Sequence, residues 1–167
     1  MVDAYSSLIY VHILSVFTFM LTHGVTASAI LFVRNEKDAE RIRLLLQMAR
    51  NRTVVAVTNT SLTVLLFTGI TLGFLGDWWG RMWIWTALGI AVAITLAMSF
   101  LGRLYYERLR KVVGLPYQEG RKKHEPIPAA SEEEILRISS KSPLYVIAAV
   151  GLLGLLAILY LMVFKPF

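Results

Sequence analysis

SSLIYVHILSVFTFMLTHGVTASAILFV, Ser6 to Val33, is the stretch that decides the fold. It contains no Asp, Glu, Lys or Arg, and it exceeds the roughly 20 residues a helix needs to cross a bilayer. Three further runs have the same character: Thr53–Leu75, Met82–Leu104 and Leu144–Phe164, with Arg103 as the one charged residue. The chain has 167 residues, of which 56% are hydrophobic. A water-soluble domain does not carry four such runs. The sequence therefore predicts an all-α integral membrane protein, a single domain over residues 1–167 folded as a four-helix bundle in the lipid bilayer. The N-terminus has no basic n-region and no small-residue cleavage site, so the first run is expected to be a retained span.

Charge sets the expected orientation. The segment 34–52 carries Arg34, Lys37, Arg41, Arg43, Arg50 and Arg52. The segment from Arg103 through the 105–142 loop carries Arg103, Arg108, Arg110, Lys111, Arg121, Lys122, Lys123, Arg137 and Lys141. Only Arg81 and Lys165 fall on the other side. The positive-inside rule puts both long loops in the cytoplasm and both termini outside, as expected of a multi-pass protein of a bacterial inner membrane. The net charge of +6 follows this topology and does not point to nucleic acid. Trp78, Trp79, Trp83 and Trp85 form an aromatic belt at the outer interface, where a quinone or pigment could also stack.

In the first basic loop, Leu44, Leu45, Leu46 and Met48 predict a helix with an apolar side. In the second, Gly114-Leu115-Pro116 and Pro126-Ile127-Pro128 mark breaks. Ser131-Glu132-Glu133-Glu134 predicts a capped short helix, and Ser142-Pro143 an N-cap and first-turn proline for the fourth span. His124, among Lys122, Lys123 and Glu125, reads as a solvated loop residue.

His12 and His23 are the candidate functional residues. An ionisable ring in a bilayer is costly and marks a site by default. The two lie eleven residues apart, so they share a helix face about 16 Å apart along the axis. Ser15, Phe19 and Thr26 fall in the same stripe. His23 is expected to face a polar cavity made by the first three spans, near Thr58, Asn59, Thr60, Ser61 and Thr63 and near Thr95, Met98 and Ser99. Hydrogen bonding to Asn59 or a threonine would explain His23 without any ligand. His12 lies level with Thr68, Thr71 and the Gly69-x-x-x-Gly73 pair, which suits either close helix packing or a flat macrocycle.

Cysteine is absent, which excludes disulfides, thiolate metal sites, iron–sulfur clusters and covalent c-type haem. No acid lies in a span to orient a histidine for Ser/His/Asp hydrolysis. Axial haem b ligation remains, with histidine or methionine opposite. His12 and His23 are too far apart to hold one iron. Met98 near His23, or Met82 and Met162 toward His12, are possible partners. A homodimer with its two-fold axis along the membrane normal would instead pair each histidine with its own copy. Copper is the rival metal, with Met20 one turn from His23.

The segment Leu8-Ile9-Tyr10-Val11-His12-Ile13-Leu14, followed by Gly24, resembles small bacterial membrane proteins of the copper-resistance D-like group. Its relatives include the HemJ-type protoporphyrinogen oxidases. Phe67-Thr68-Gly69-Ile70-Thr71-Leu72, the Trp83 start and the Leu101-Gly102-Arg103-Leu104-Tyr105 end of the third span are similar too. The resemblance runs from about Leu8 to Arg110 and implies a four-helix membrane core with His12 as a b-type haem ligand. Those oxidases carry a lysine near the start of the third span. This chain has none there, and Arg81 cannot exchange a proton in its place. Protoporphyrinogen oxidation is therefore not expected. The leading expectation is a haem b redox protein using His12, His23, Gly69, Gly73 and Met98. The alternatives are an accessory subunit of a larger respiratory or photosynthetic complex, with Gly69, Gly73, Gly151 and Gly154 at helix contacts, and copper binding or transport.

Overall fold

The computed structural model describes residues 3–141 and 143–167. Four long helices carry the apolar runs: α1 (Ala4–Val33), α3 (Arg52–Leu75), α4 (Met82–Val112) and α6 (Leu144–Phe164). Two short helices, α2 (Ala39–Ala49) and α5 (Glu132–Ser140), lie in the basic segments. A two-stranded antiparallel hairpin, β1 (Tyr117–Glu119) and β2 (Lys122–His124), precedes α5. All four long helices have the length and apolar character of membrane spans.

Local chemistry explains the boundaries. Asp3 caps α1, its carboxylate accepting from the Ser6 amide at 2.6 Å. Asp38 caps α2 through the Glu40 and Arg41 amides, and Asn51 caps α3 through the Thr53 amide. Ser131 caps α5 as its sequence predicts, accepting from the Glu134 amide. The proposed Ser142 cap lies outside the described residues; Pro143 holds the N-cap position of α6. α4 runs eight residues past the apolar limit at Leu104 and ends where Gly114 takes φ +72°. At that glycine a side chain would press on the Ile127 carbonyl.

The hairpin is absent from the sequence expectation. Its two-residue turn, Gly120-Arg121, has Gly120 at φ +59°, the positive-φ start of a type II′ turn. His124 is a strand residue and not a free loop residue: its ring stacks on Tyr117 at 5.0 Å.

The spans pack as two antiparallel pairs, α1 with α3 and α4 with α6. Contact between the pairs inside the membrane is slight, and α3 and α4 make no extensive contact although a short loop joins them. The pairs are clamped at their ends. At the basic end, Val33, Ile42, Leu46, Leu109, Val113, Leu115, Ile135 and Ile138 form one apolar core. At the other end, Trp83, Ile84, Ala87 and Leu161 form a second, flanked by Trp78 and Trp79. Trp83 is therefore a core residue and not an interfacial anchor. The Trp83 amide donates to the Phe167 carbonyl, and the Lys165 ammonium sits 4.2 Å from the Trp78 ring centre.

The buried side of α2 is Ile42, Leu46 and Ala49, while Leu44 and Met48 stay exposed. Each of its last four carbonyls, which a helix leaves without an internal partner, finds a donor. Arg110 Nη1 donates to Leu46 at 3.0 Å, and the Arg50 and Asn51 amides donate to Gln47 and Met48. The Thr26 hydroxyl of α1 donates to Ala49. One short helix thus ties α1 to the extension of α4.

Leu109 is fully buried in the basic-end core, whereas Leu104, five residues earlier on the same helix, is 64% exposed. Leu109→Ala is expected to cost about 2–5 kcal/mol, lowering the thermal denaturation midpoint in detergent. Leu104→Ala should leave that midpoint unchanged.

Candidate functional site

Helix pairing places His12 on α3. Its Nδ1 lies 2.9 Å from Thr68 Oγ1, and the ring covers the bare backbone of Gly69. A Cβ at Gly69 would stand 3.1 Å from His12 Cε1, so the glycine is what lets the ring lie there. This is a use for Gly69 that differs from backbone-to-backbone helix packing.

The proton positions follow from the network. Thr68 Oγ1 is 2.7 Å from the Val64 carbonyl and 3.1 Å from that of Leu65. Two oxygens at 2.7 Å need a proton between them. A threonine hydroxyl has only one, and it points back into α3. Toward His12, Thr68 is then an acceptor. The histidine must donate from Nδ1–H, and the neutral ring keeps its lone pair on Nε2. The Leu65 backbone carbonyl is the other polar neighbour of the ring on α3, and the hydrogen-bond geometry among the described residues gives Nε2 no partner. A histidine oriented through one nitrogen and open at the other is the arrangement that metal-ligating histidines use.

His23 lies on the same half-buried face of α1 and stacks on Phe19, with ring centres 5.4 Å apart and planes within 10°. The expected bond to Asn59 or a threonine is absent among the described residues. Asn59 is exposed, and the nearby hydroxyls donate to their own helix: Thr58 to Val54, Ser61 to Thr58 and Thr63 to Asn59.

The expected inner cavity of spans one to three takes a different form. α3 pairs with α1 alone, so its polar half does not meet α4. A cavity of about 280 Å³ at the basic end is lined instead by α1, α2 and α4, and includes Met98 and Ser99 but not His23. Met98 also packs on α6, its Cε standing 2.8 Å from where a Gly151 Cβ would be. A second groove, about 430 Å³, runs between α1 and α3 beside His12, lined by Val11, Ser15, Ser61 and Val64 among others.

Gly73 does not clear room for a macrocycle. The Trp79 indole covers it, at 3.1 Å from a would-be Cβ. Gly154 is filled in the same way by Ile94. Of the predicted site residues, the structure brings His12 and Gly69 together and leaves Gly73, Met98 and His23 in separate surroundings. Thr68 is the residue that sequence reasoning placed level with His12 without giving it a role. Its signal is the antiparallel match of the one histidine to the one Thr-Gly step at that depth.

Four apolar helices in two clamped pairs define a multi-pass helical integral membrane protein. Residues 6–166 match the family described as predicted integral membrane protein (DUF2269), and the chain belongs to that family. No curated protein and no solved structure matches the chain.

Nitrogen-15 NMR of histidine-labelled protein at about pH 8, above the ordinary imidazole range, should show His12 as the Nδ1–H tautomer. Thr68→Val, which removes the acceptor and keeps the shape, should shift His12 toward the Nε2–H form that predominates in free histidine.

Proposed function

We propose that this protein binds haem b within the membrane through His12 and serves one-electron transfer. The observation that carries the reading is the His12 ring, fixed by Nδ1–H on Thr68 with Nε2 unengaged. Thr68 sets the tautomer and orientation and raises the basicity of the free nitrogen. Gly69 gives the ring its seat, and α1 and α3 shield it from water. Haem bound there supplies the one-electron chemistry of its iron.

A ligand opposite His12 is still needed: Met98 packs on Gly151, and Met82 of α4 and Met162 of α6, the methionines expected toward His12, lie exposed on the other helix pair. A second copy of the chain is the simplest source of that ligand, as its own His12 would come to equal depth under two-fold symmetry. His23, stacked on Phe19 and free of hydrogen bonds, is the second candidate by the same logic. The reading carries the N-out, C-out orientation in a bacterial cytoplasmic membrane that the charge distribution favours.

The accessory-subunit reading keeps one supporting observation, the slight contact between the two helix pairs, which leaves apolar faces for a larger complex to cover. Its glycines support it less, because Gly69, Gly73, Gly151 and Gly154 meet side chains of this same chain. Copper rests on Met20 and His23, one turn apart on α1, and among the described residues no group of three His, Cys, Asp or Glu side chains adds to them.

Protein expressed with added haem should show a Soret band and a sharpened α band on reduction. His12→Ala should abolish both, and Thr68→Val should weaken haem retention by about 10–100-fold. A wild-type preparation with no Soret band, or an intact spectrum in His12→Ala, defeats the reading.

A further inference from the structure

The basic-end cavity carries a separate inference. Ile30 of α1, Leu46 and Ala49 of α2, Arg50 just after it, and several α4 side chains line it, among them Arg103, Tyr106, Glu107 and Arg110. Three arginines face one carboxylate. That carboxylate is already engaged: Glu107 Oε1 accepts from Arg50 at 2.9 Å, and Oε2 accepts from the Gln118 amide at 2.6 Å. Arg110 is buried, with Nε on the Pro116 carbonyl and Nη1 on the Leu46 carbonyl, neutral acceptors that leave its charge without a counter-ion of its own. Arg103 has no ion pair among the described residues. The Tyr106 hydroxyl is buried and has no hydrogen-bond partner among the described residues.

The unspent groups are therefore donors and positive charge. Burying such groups without an acceptor is costly, so the cavity calls for an anion rich in oxygen. Its lower wall is apolar, with Ile30 and Met98, and the neighbouring Phe100 and Leu104 of α4 face the lipid. Free phosphate would leave that apolar wall unused. A lipid phosphate, entering with its chains along α4, uses both halves. Basic pockets between membrane helices near the interface hold acidic headgroups by this chemistry.

We propose that this cavity is a binding site for the headgroup of an acidic phospholipid, with Arg103 and the Tyr106 hydroxyl as its donors and Arg110 supplying fixed charge. The site stands apart from His12, and nothing in it depends on haem.

The test uses the full-length protein in neutral detergent, with thermal denaturation read against added phosphatidylglycerol, phosphatidylcholine or inorganic phosphate. Phosphatidylglycerol is expected to raise the midpoint in a saturable manner, with phosphatidylcholine and millimolar phosphate giving no comparable shift. Arg103→Gln and Tyr106→Phe should each weaken the phosphatidylglycerol response about tenfold in apparent affinity. Both changes are mild: Arg103 is exposed, and Phe keeps the Tyr106 ring. Lys123→Gln, on the exposed hairpin, should leave the response intact and so separates a site from general surface charge. An equal response to phosphatidylcholine, an undiminished response in both cavity variants, or the same stabilisation by phosphate alone overturns the proposal. If the variants denature at the wild-type midpoint without lipid, folding is not the cause of any loss.

Discussion

Lipid removes the force that normally joins helices. Apolar side chains of α1, α3, α4 and α6 gain nothing from the hydrophobic effect by leaving lipid for one another, so the two helix pairs need a connection elsewhere. They find it outside the hydrocarbon, where water is present and burial is favourable. Leu109, Val113, Ile42 and Leu46 are buried almost completely at the basic end, whereas most of α6 within the span is not. The larger of the two buried clusters that join the helix pairs lies mostly in the basic segments beyond the spans, and the second sits at the opposite end of α4 and α6. α2 is the key piece. Its apolar side enters the core, and its four terminal carbonyls are each met by a donor, one from α1 and one from α4.

Inside the bilayer a different economy applies. Hydroxyl groups there have no water, and most donate to a carbonyl one turn back in their own helix, as Ser15, Thr18, Thr58, Thr71 and Thr95 do. A hydroxyl satisfied in this way cannot donate outward, but it can still accept. That asymmetry gives Thr68 its effect on His12. A polar stripe in a membrane helix can thus look like a set of donors in the sequence and act as a set of acceptors in the fold.

The four spans are legible in the sequence because a bilayer imposes length and composition on them directly. The start of α5 was legible from Ser131, because capping is a local contest between one side chain and nearby amides. The region after Leu104 was harder. Arg108, Arg110 and Lys111 resemble the start of a solvated loop, yet α4 continues through them, since Leu109 has a core to enter and Arg110 has carbonyls to meet. Charge ended the membrane span without ending the helix. The hairpin leaves little trace in the sequence because its strands are short and charged, and only Gly120 marks the turn. Depth along a span says nothing about which neighbour it pairs with, so the sequence places the inner cavity between the first three spans where the fold builds it from α1, α2 and α4.

The same distinction separates the two histidines. One helix face carries both, and periodicity alone gives them equal standing. Pairing breaks the tie. α3 runs antiparallel to α1, so the level of His12 meets the Thr68-Gly69 step, where an acceptor and a missing side chain coincide. Eleven residues further on, the ring of His23 meets Phe19 of its own helix and, among the described residues, no hydrogen-bond partner. An imidazole held by one nitrogen has a defined direction for the other, while a stacked ring has a fixed plane but no fixed tautomer. Ligation needs the former, which is why the proposed haem site is built on His12 and would reach His23 only through a second copy of the chain.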